Sequence, residues 1–428
     1  MLRTLAAGVV VALVAAACGD DDSDGGSASP SAATGSTAAA NPGPSEVATD
    51  KGVDDTEIRL GVLNDFSGPI AAVGTAYATG AEVYFAEVND AGGICERDVT
   101  LVRGDTKYDP QVAVQEYRAI RDDIAAVVEV VGAATIFGLA SDFARDGILV
   151  FAGSDSGAVL ELENVFTTKT PAAPQVFNAV SWAVEALAGD DGTLQIGIIY
   201  QDDAYGQEGL AALEAAAESV EGVELVARAG YATSDQDFTA QIQTMRDAGA
   251  EVVWLHATPR QTPGIVGGAA QLGYEPVFIG NEGAYVPALA KALGDLLVDF
   301  RHATAIAVWG EDVPGMDDLQ AALAEHAPDA SPDDFITRGW IDASVMAAVL
   351  ARACENGDLT RAGIIAAMEG LEVDLQGMGA NVRISGSEPN EKIPARSSRV
   401  LEIDPETGLS SPVSDWIESD LAVGWELP

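Results

Sequence analysis

Basic side chains are scarce in this chain: 22 Lys and Arg stand against 67 Asp and Glu, a formal charge of −45. That deficit excludes broad contact with nucleic acid, which needs Lys and Arg to replace backbone counterions. It equally excludes adhesion to anionic lipid through a basic surface. Long apolar runs are missing as well. The stretch Thr4 to Ala17 is 14 residues, too short to cross a bilayer. Neither a G-x-S-x-G elbow nor a G-x-x-x-x-G-K phosphate loop occurs. The three histidines, His256, His302 and His326, show no close-ligand spacing. Acid pairs such as Asp202-Asp203, Asp317-Asp318 and Asp333-Asp334 are adjacent, so on a helix their side chains diverge. No catalytic residue, metal or cofactor is therefore expected, and the chain does not read as an enzyme.

Cysteine is equally rare, with three residues at 18, 95 and 354. Residues 1–17 carry Arg3, then the apolar run, then Ala15, Ala16 and Ala17 before Cys18. This reads as a bacterial lipoprotein signal in which Cys18 is acylated and becomes the first residue. The alternative is a plain cleaved signal with an incidental Cys. Residues 18–55 are assigned to the acylated Cys and a tether of Gly, Ser, Ala, Thr, Pro and Asp, which cannot bury enough apolar surface to fold. As a flexible coil the tether reaches roughly 35 Å. If Cys18 is acylated, Cys95 and Cys354 remain. An exported compartment permits a Cys95–Cys354 disulfide, with two unpaired thiols as the alternative.

From residue 57 the chain alternates strand and helix. Apolar runs at 57–63, 98–104, 125–131 and 147–152 are separated by helical patterns at 74–91, 110–122 and 135–146. A second series follows, with strands near 194–200, 222–229, 251–256 and 276–280, and a further strand at 303–309. The pattern predicts an α/β fold of two Rossmann-like lobes with parallel sheets. Ligands in open α/β sheets bind beyond the carboxyl ends of the strands.

The loops at those ends share one chemistry. Ser67 lies in the loop after the first strand, Ala134 and Thr135 open a helix after the third, and Ser154, Asp155 and Ser156 follow the fourth. Tyr205 and Glu282 follow strands of the second half. Gly, Ala and Ser at helix starts leave backbone N–H groups for a carboxylate, and Glu282 would suit an ammonium. Donors on one lobe and an acid on the other fit a zwitterion.

The ordered segments GVLNDFSGPIAAVG, GAATIFGLASDFARDGILVFAGSDS, YQDDAYGQEGL and FIGNEGAY resemble the solute-binding proteins of branched-chain amino-acid-type ABC transporters. The resemblance covers about residues 57–420. It implies type I periplasmic-binding-protein architecture, with three hinge crossovers near 172, 302 and 373. The lobes would then be 56–172 plus 303–372, and 173–302 plus 373–428. It further implies that Ala134 and Thr135 hold an α-carboxylate, that Ser154 and Ser156 stand at the family's small-residue and Thr positions, that Tyr205 covers the ligand, and that Glu282 pairs with its ammonium. Asp155 departs from the pattern. It either adds a carboxylate to the cleft or points away and caps the next helix. The implied function is an extracytoplasmic, lipid-anchored monomer that captures an amino acid or amide and delivers it to an ABC permease. An anchored sensor passing occupancy to a receptor would need the same features.

Overall fold

A computed structural model describes residues 47–189 and 192–427. The signal segment, Cys18 and the tether up to residue 46 lie outside the described residues. In chain order the strands of the first half are β1 (Ala48–Thr49), β2 (Glu57–Asn64), β3 (Asp98–Asp105), β4 (Ala126–Val131), β5 (Val150–Gly153) and β6 (Val165–Phe166). Those of the second are β7 (Leu194–Gln201), β8 (Val223–Tyr231), β9 (Val252–His256), β10 (Val277–Gly280) and β11 (Phe300–Thr304). The last are β12 (Asp358–Leu359), β13 (Leu371–Val373), β14 (Val382–Ile384), β15 (Arg399–Ile403) and β16 (Ser410–Pro412).

Two larger sheets result. The first runs β3-β2-β4-β5-β6 and is parallel throughout. The second contains the same order again, β8-β7-β9-β10-β11, extended by β15 and β16 as antiparallel strands. Helices cover both faces of each, which is why their strands read as near-continuous apolar runs. On the first sheet Leu60 and Val62 of β2 pack toward α1 (Ala71–Asp90) and the long helix Asp334–Glu355. Leu63, the next residue of the strand and so on its opposite face, joins the core under α2 (Pro110–Ile120) and α3 (Ala133–Asp146). In the second lobe α4 (Ala172–Leu187) and α5 (Ala204–Ser219) pack on one face, and the helix Thr262–Gln271 on the other.

Two boundaries differ from the sequence expectation. The tether does not run to residue 55: Val47 and Val53 are buried in the first core, and β1 pairs in parallel with β12. Two valines in a polar stretch are enough to dock it once a strand edge is available. The third crossover does not fall near 373 either. Leu371, Leu375, Met378, Val382 and Ile384 belong to the first lobe's core, so the chain leaves that lobe only after Ile384. A short hairpin of alternating residues carries no mark of which of two sheets it will cover. The strand expected at 303–309 is β11, which ends at Thr304 within the second sheet.

Cys95 and Cys354 are bonded, with their Cα atoms 6.1 Å apart across 259 residues of sequence. The bridge joins the turn after α1 to the end of the long helix, both in the first lobe. Removing it, by reduction or by Cys354→Ala, is expected to cost about 2–5 kcal/mol. Denaturant unfolding with and without reductant measures this; identical midpoints would show that the bridge adds nothing to stability.

Candidate functional site

Both sheets point the carboxyl ends of their parallel strands at one cleft. In each, the order reverses beside the first strand, between β2 and β4 and between β7 and β9. Loops diverge at such a switch point and leave a crevice. A cavity of about 70 Å³ occupies it, walled by Ile70, Val73 and Val131 to Ala133 from the first lobe and by Tyr205, Thr258 and Gly283 from the second.

The loop after β2 is held by two carboxylates. Asp65 accepts hydrogen bonds from the backbone N–H groups of Ser67, Gly68 and Ile70, the last at 2.8 Å. Asp105 accepts from Phe66 N at 2.9 Å and from Ser67 Oγ at 2.6 Å. Ser67 is thereby committed to Asp105 and is not part of the cavity lining, contrary to its expected role. The loop instead presents Ile70 and Val73, which form one apolar wall with Tyr77, Val131 and Val286, and with Phe335 packed against them.

After β4, Gly132 adopts φ +96°, and α3 starts at Ala133 with no side chain capping its first N–H groups. Those donors have no intrahelical partner and favour an anion. Ala133 faces the cavity; Ala134 and Thr135 line a larger groove outside it. After β5, Ser154 and Asp155 line the cavity but Ser156 does not. Ser156 Oγ and Gly157 N donate to the Glu208 carboxylate on α5, the second at 2.6 Å. Ser156 thereby ties the two lobes together outside the cavity lining. Burial pushes the Glu208 carboxyl up to about 7.

On the second lobe Asp203 caps α5 by accepting from Tyr205 N at 3.1 Å and Gly206 N at 3.2 Å. The Tyr205 hydroxyl donates to Ala257 O at 3.1 Å, which ties the phenol to its own lobe and leaves the ring as its contribution to the wall. Glu282 departs most from expectation. Lys169 Nζ stands 2.6 Å and Arg338 Nη1 2.8 Å from its Oε1, and Thr304 donates to Oε2 at 3.2 Å. Burial pushes this carboxyl up, but Lys169 and Arg338 outweigh it and hold it down to about 2. A carboxylate between two cations offers no unbalanced charge to a ligand ammonium.

Asp155 is placed differently. It lines the cavity, and no Lys or Arg lies within ion-pair distance of it among the described residues. The side-chain donor that reaches it is the Asn281 amide, at 3.3 Å. Turned over, that amide donates to Leu255 O at 3.1 Å and accepts from Gly283 N at 3.2 Å, a better set, and Asp155 is left without a donor.

The sequence reading missed Lys169, Arg338, Phe335 and Tyr108. Lys169 was visible as a lone Lys after β6, and Arg338 as a charge inside the apolar run FITRGWIDASV. Lys169 follows a two-residue strand that the sequence pattern did not mark, and Arg338 lies inside a helix, away from the strand-end loops where ligand residues were sought. Elsewhere, His326 Nε2 lies 2.8 Å from Glu87 near Glu325, outside the cleft lining.

Two parallel α/β lobes with a cleft between their strand ends define a solute-binding protein. A family model described as periplasmic binding protein matches residues 57–408, and the chain belongs to that family. Its members bind small solutes outside the cytoplasm and are not enzymes. The chain is 30% identical over 261 residues to Leu/Ile/Val-binding protein homolog 8 of Brucella abortus (strain 2308), a match spanning 57% of this chain and 62% of that relative. It resembles the solved fatty acid ABC transporter substrate-binding protein from Thermomonospora curvata at 28% identity and a TM-score of 0.84, covering 90% of this chain and 98% of that one. A branched-chain amino acid ABC transporter protein from Thermus thermophilus with bound valine shares the fold at 19% identity and a TM-score of 0.74, covering 86% and 98%. Among the described residues no helix is long and apolar enough to cross a membrane.

Proposed function

We propose that the protein captures a small amino acid with an aliphatic side chain between its lobes and delivers it to an ABC transporter permease, held at the membrane by acylated Cys18. The observation that carries this reading is the cavity lining: an apolar wall of Ile70, Val73 and Val131, an acid without a cation at Asp155, and the uncapped start of α3 at Ala133. The wall suits the side chain, Asp155 the ammonium, and the α3 N–H groups the carboxylate. Ligand contacts made by both lobes at once favour the closed form, so binding shifts an open–closed equilibrium.

A second reading is a monocarboxylate without an amino group. The buried cations Lys169 and Arg338 beside the cavity favour it, as does the likeness to the Thermomonospora curvata protein. Calorimetric titration of the purified protein with L-leucine, L-isoleucine, L-valine and pentanoate separates the two. The first reading expects an amino acid to bind, and Asp155→Asn to weaken it roughly 30- to 1,000-fold, the loss of a buried charge partner. Pentanoate alone binding, unaffected by Asp155→Asn, selects the second. Binding of none of the four removes both.

A further inference from the structure

The cavity at the switch point is not the whole cleft. Outside it lies a groove of about 680 Å³, lined by Pro69, Ala134, Thr135, Thr233 and Arg260. Tyr108 is shared by the linings of the two spaces. One side of it is therefore the small inner cavity and the other is the broad outer groove.

Tyr108 is held there by an unusual backbone. Lys107 and Tyr108 are consecutive non-glycine residues in the left-handed region, at φ +54° and +56°. Side chains rarely adopt that conformation, and it persists only where the surroundings over-determine it. Here Tyr108 N donates to Thr106 Oγ1 at 3.3 Å and Asp109 N to Thr106 O at 3.0 Å, while Asp109 goes on to cap α2. The twist delivers the ring against Gly132. A Cβ at residue 132 would stand 2.7 Å from Tyr108 Cε2, so only glycine leaves the ring its seat. The ring packs on the apolar cavity wall, and across the groove from it stand Asp202 and Asp203 of the other lobe, just past the end of β7. Tyr108 thus closes the gap between the lobes from the first-lobe side.

We infer that Tyr108 is a specificity-determining partition: it limits the length of ligand the inner cavity accepts and shuts off the outer groove as a second subsite for longer chains. The volumes give the reason. About 70 Å³ is space for roughly five water-sized groups, since each needs on the order of 10–15 Å³. The groove beyond the ring is larger by an order of magnitude. This inference rests on the reading that the inner cavity is the ligand site, whichever head group it takes.

The test uses two homologous series, straight-chain L-2-amino acids and straight-chain alkanoates of four to ten carbons, titrated into the full-length protein. In the wild type, affinity is expected to fall steeply beyond five or six carbons. In Tyr108→Ala the ratio of the eight-carbon to the five-carbon dissociation constant is expected to drop at least tenfold, while Tyr108→Phe, which keeps the ring, retains the wild-type profile. Should Tyr108→Ala fail to fold, Tyr108→Leu is read the same way. A wild type that binds ten-carbon members as tightly as five-carbon ones overturns the partition, as does a folded Tyr108→Ala or Tyr108→Leu with the wild-type length profile. If no member of either series binds the wild type, the ligand-site reading fails, and the partition with it. If short members bind but the variants leave the cut-off in place, the partition alone fails.

Discussion

Glu282→Gln is expected to destabilise the protein by about 3–5 kcal/mol, the usual result of removing one partner from a buried ionic cluster. The reason is visible in its surroundings. Lys169 and Arg338 are themselves buried and meet at Glu282 Oε1, at 2.6 and 2.8 Å. Asp342, on the same helix as Arg338, is 3.8 Å from its Nε, but accepts from the Tyr77 hydroxyl at 2.6 Å and from Thr168. Burial pushes Asp342 upward, so it is a poor substitute counter-ion. Glutamine would leave one ammonium and one guanidinium facing one neutral amide. The double variant Glu282→Gln/Lys169→Met removes one of those charges and is expected to recover part of the loss. Thermal unfolding measures both. The acid limb of the stability curve gives an independent reading. The folded-state carboxyl of Glu282 is held below its ordinary value, so its contribution is full above about pH 4.5 and is lost as pH falls toward about 2. Glu282→Gln should flatten that limb. A variant as stable as the wild type at neutral pH would show that the three groups do not depend on one another.

The second large effect lies where α1 meets the long helix. A Cβ on Gly339 would stand 1.8 Å from Tyr77 O, and one on Gly80 2.0 Å from Ile336 O. Both neighbours are backbone, so neither can swing aside. The two helices touch main chain to main chain, and a methyl group at either position must push them apart. Overpacking costs typically about 1–3 kcal/mol, and here the expected cost is at the top of that range or above it. Gly339→Val should exceed Gly339→Ala. Because Arg338 and Phe335 lie within a turn of Gly339 and line the cavity, ligand affinity should fall together with melting temperature. Gly267→Ala is the control. That helical position has open space around it, so alanine should be neutral or stabilise by up to about 1 kcal/mol. Equal melting temperatures for Gly339→Ala and wild type would refute the close-contact argument.

Much of the fold was legible in the sequence because its strands are buried on both faces. ILVFA-type runs between helical patterns mark a parallel sheet whichever neighbour each strand takes. Strand-end loops were legible as the place of the cleft for the same reason. Within the cleft, the reading found Ser154, Asp155 and Tyr205 in the lining, since each follows a strand end directly. It placed Ser67 and Ser156 there too, because a hydroxyl in such a loop looks free until its partner is known. Their partners, Asp105 and Glu208, are 38 and 52 residues away.

The sequence by itself determined two parallel α/β halves, a cleft at their strand ends and a body too acidic for nucleic acid. Periodicity and composition are local properties, and these conclusions need nothing more. Only the tertiary structure decided which charges in the cleft are balanced. Lys169 comes from a crossover and Arg338 from a helix 56 residues beyond Glu282 in the chain, and both spend their close ion pair on that carboxylate, leaving Asp155 with no cation at ion-pair distance among the described residues. It decided likewise that Tyr108 stands between two spaces. Charge balance and enclosure depend on which distant segments come within a few ångströms of one another, and that is set by packing rather than by spacing along the chain.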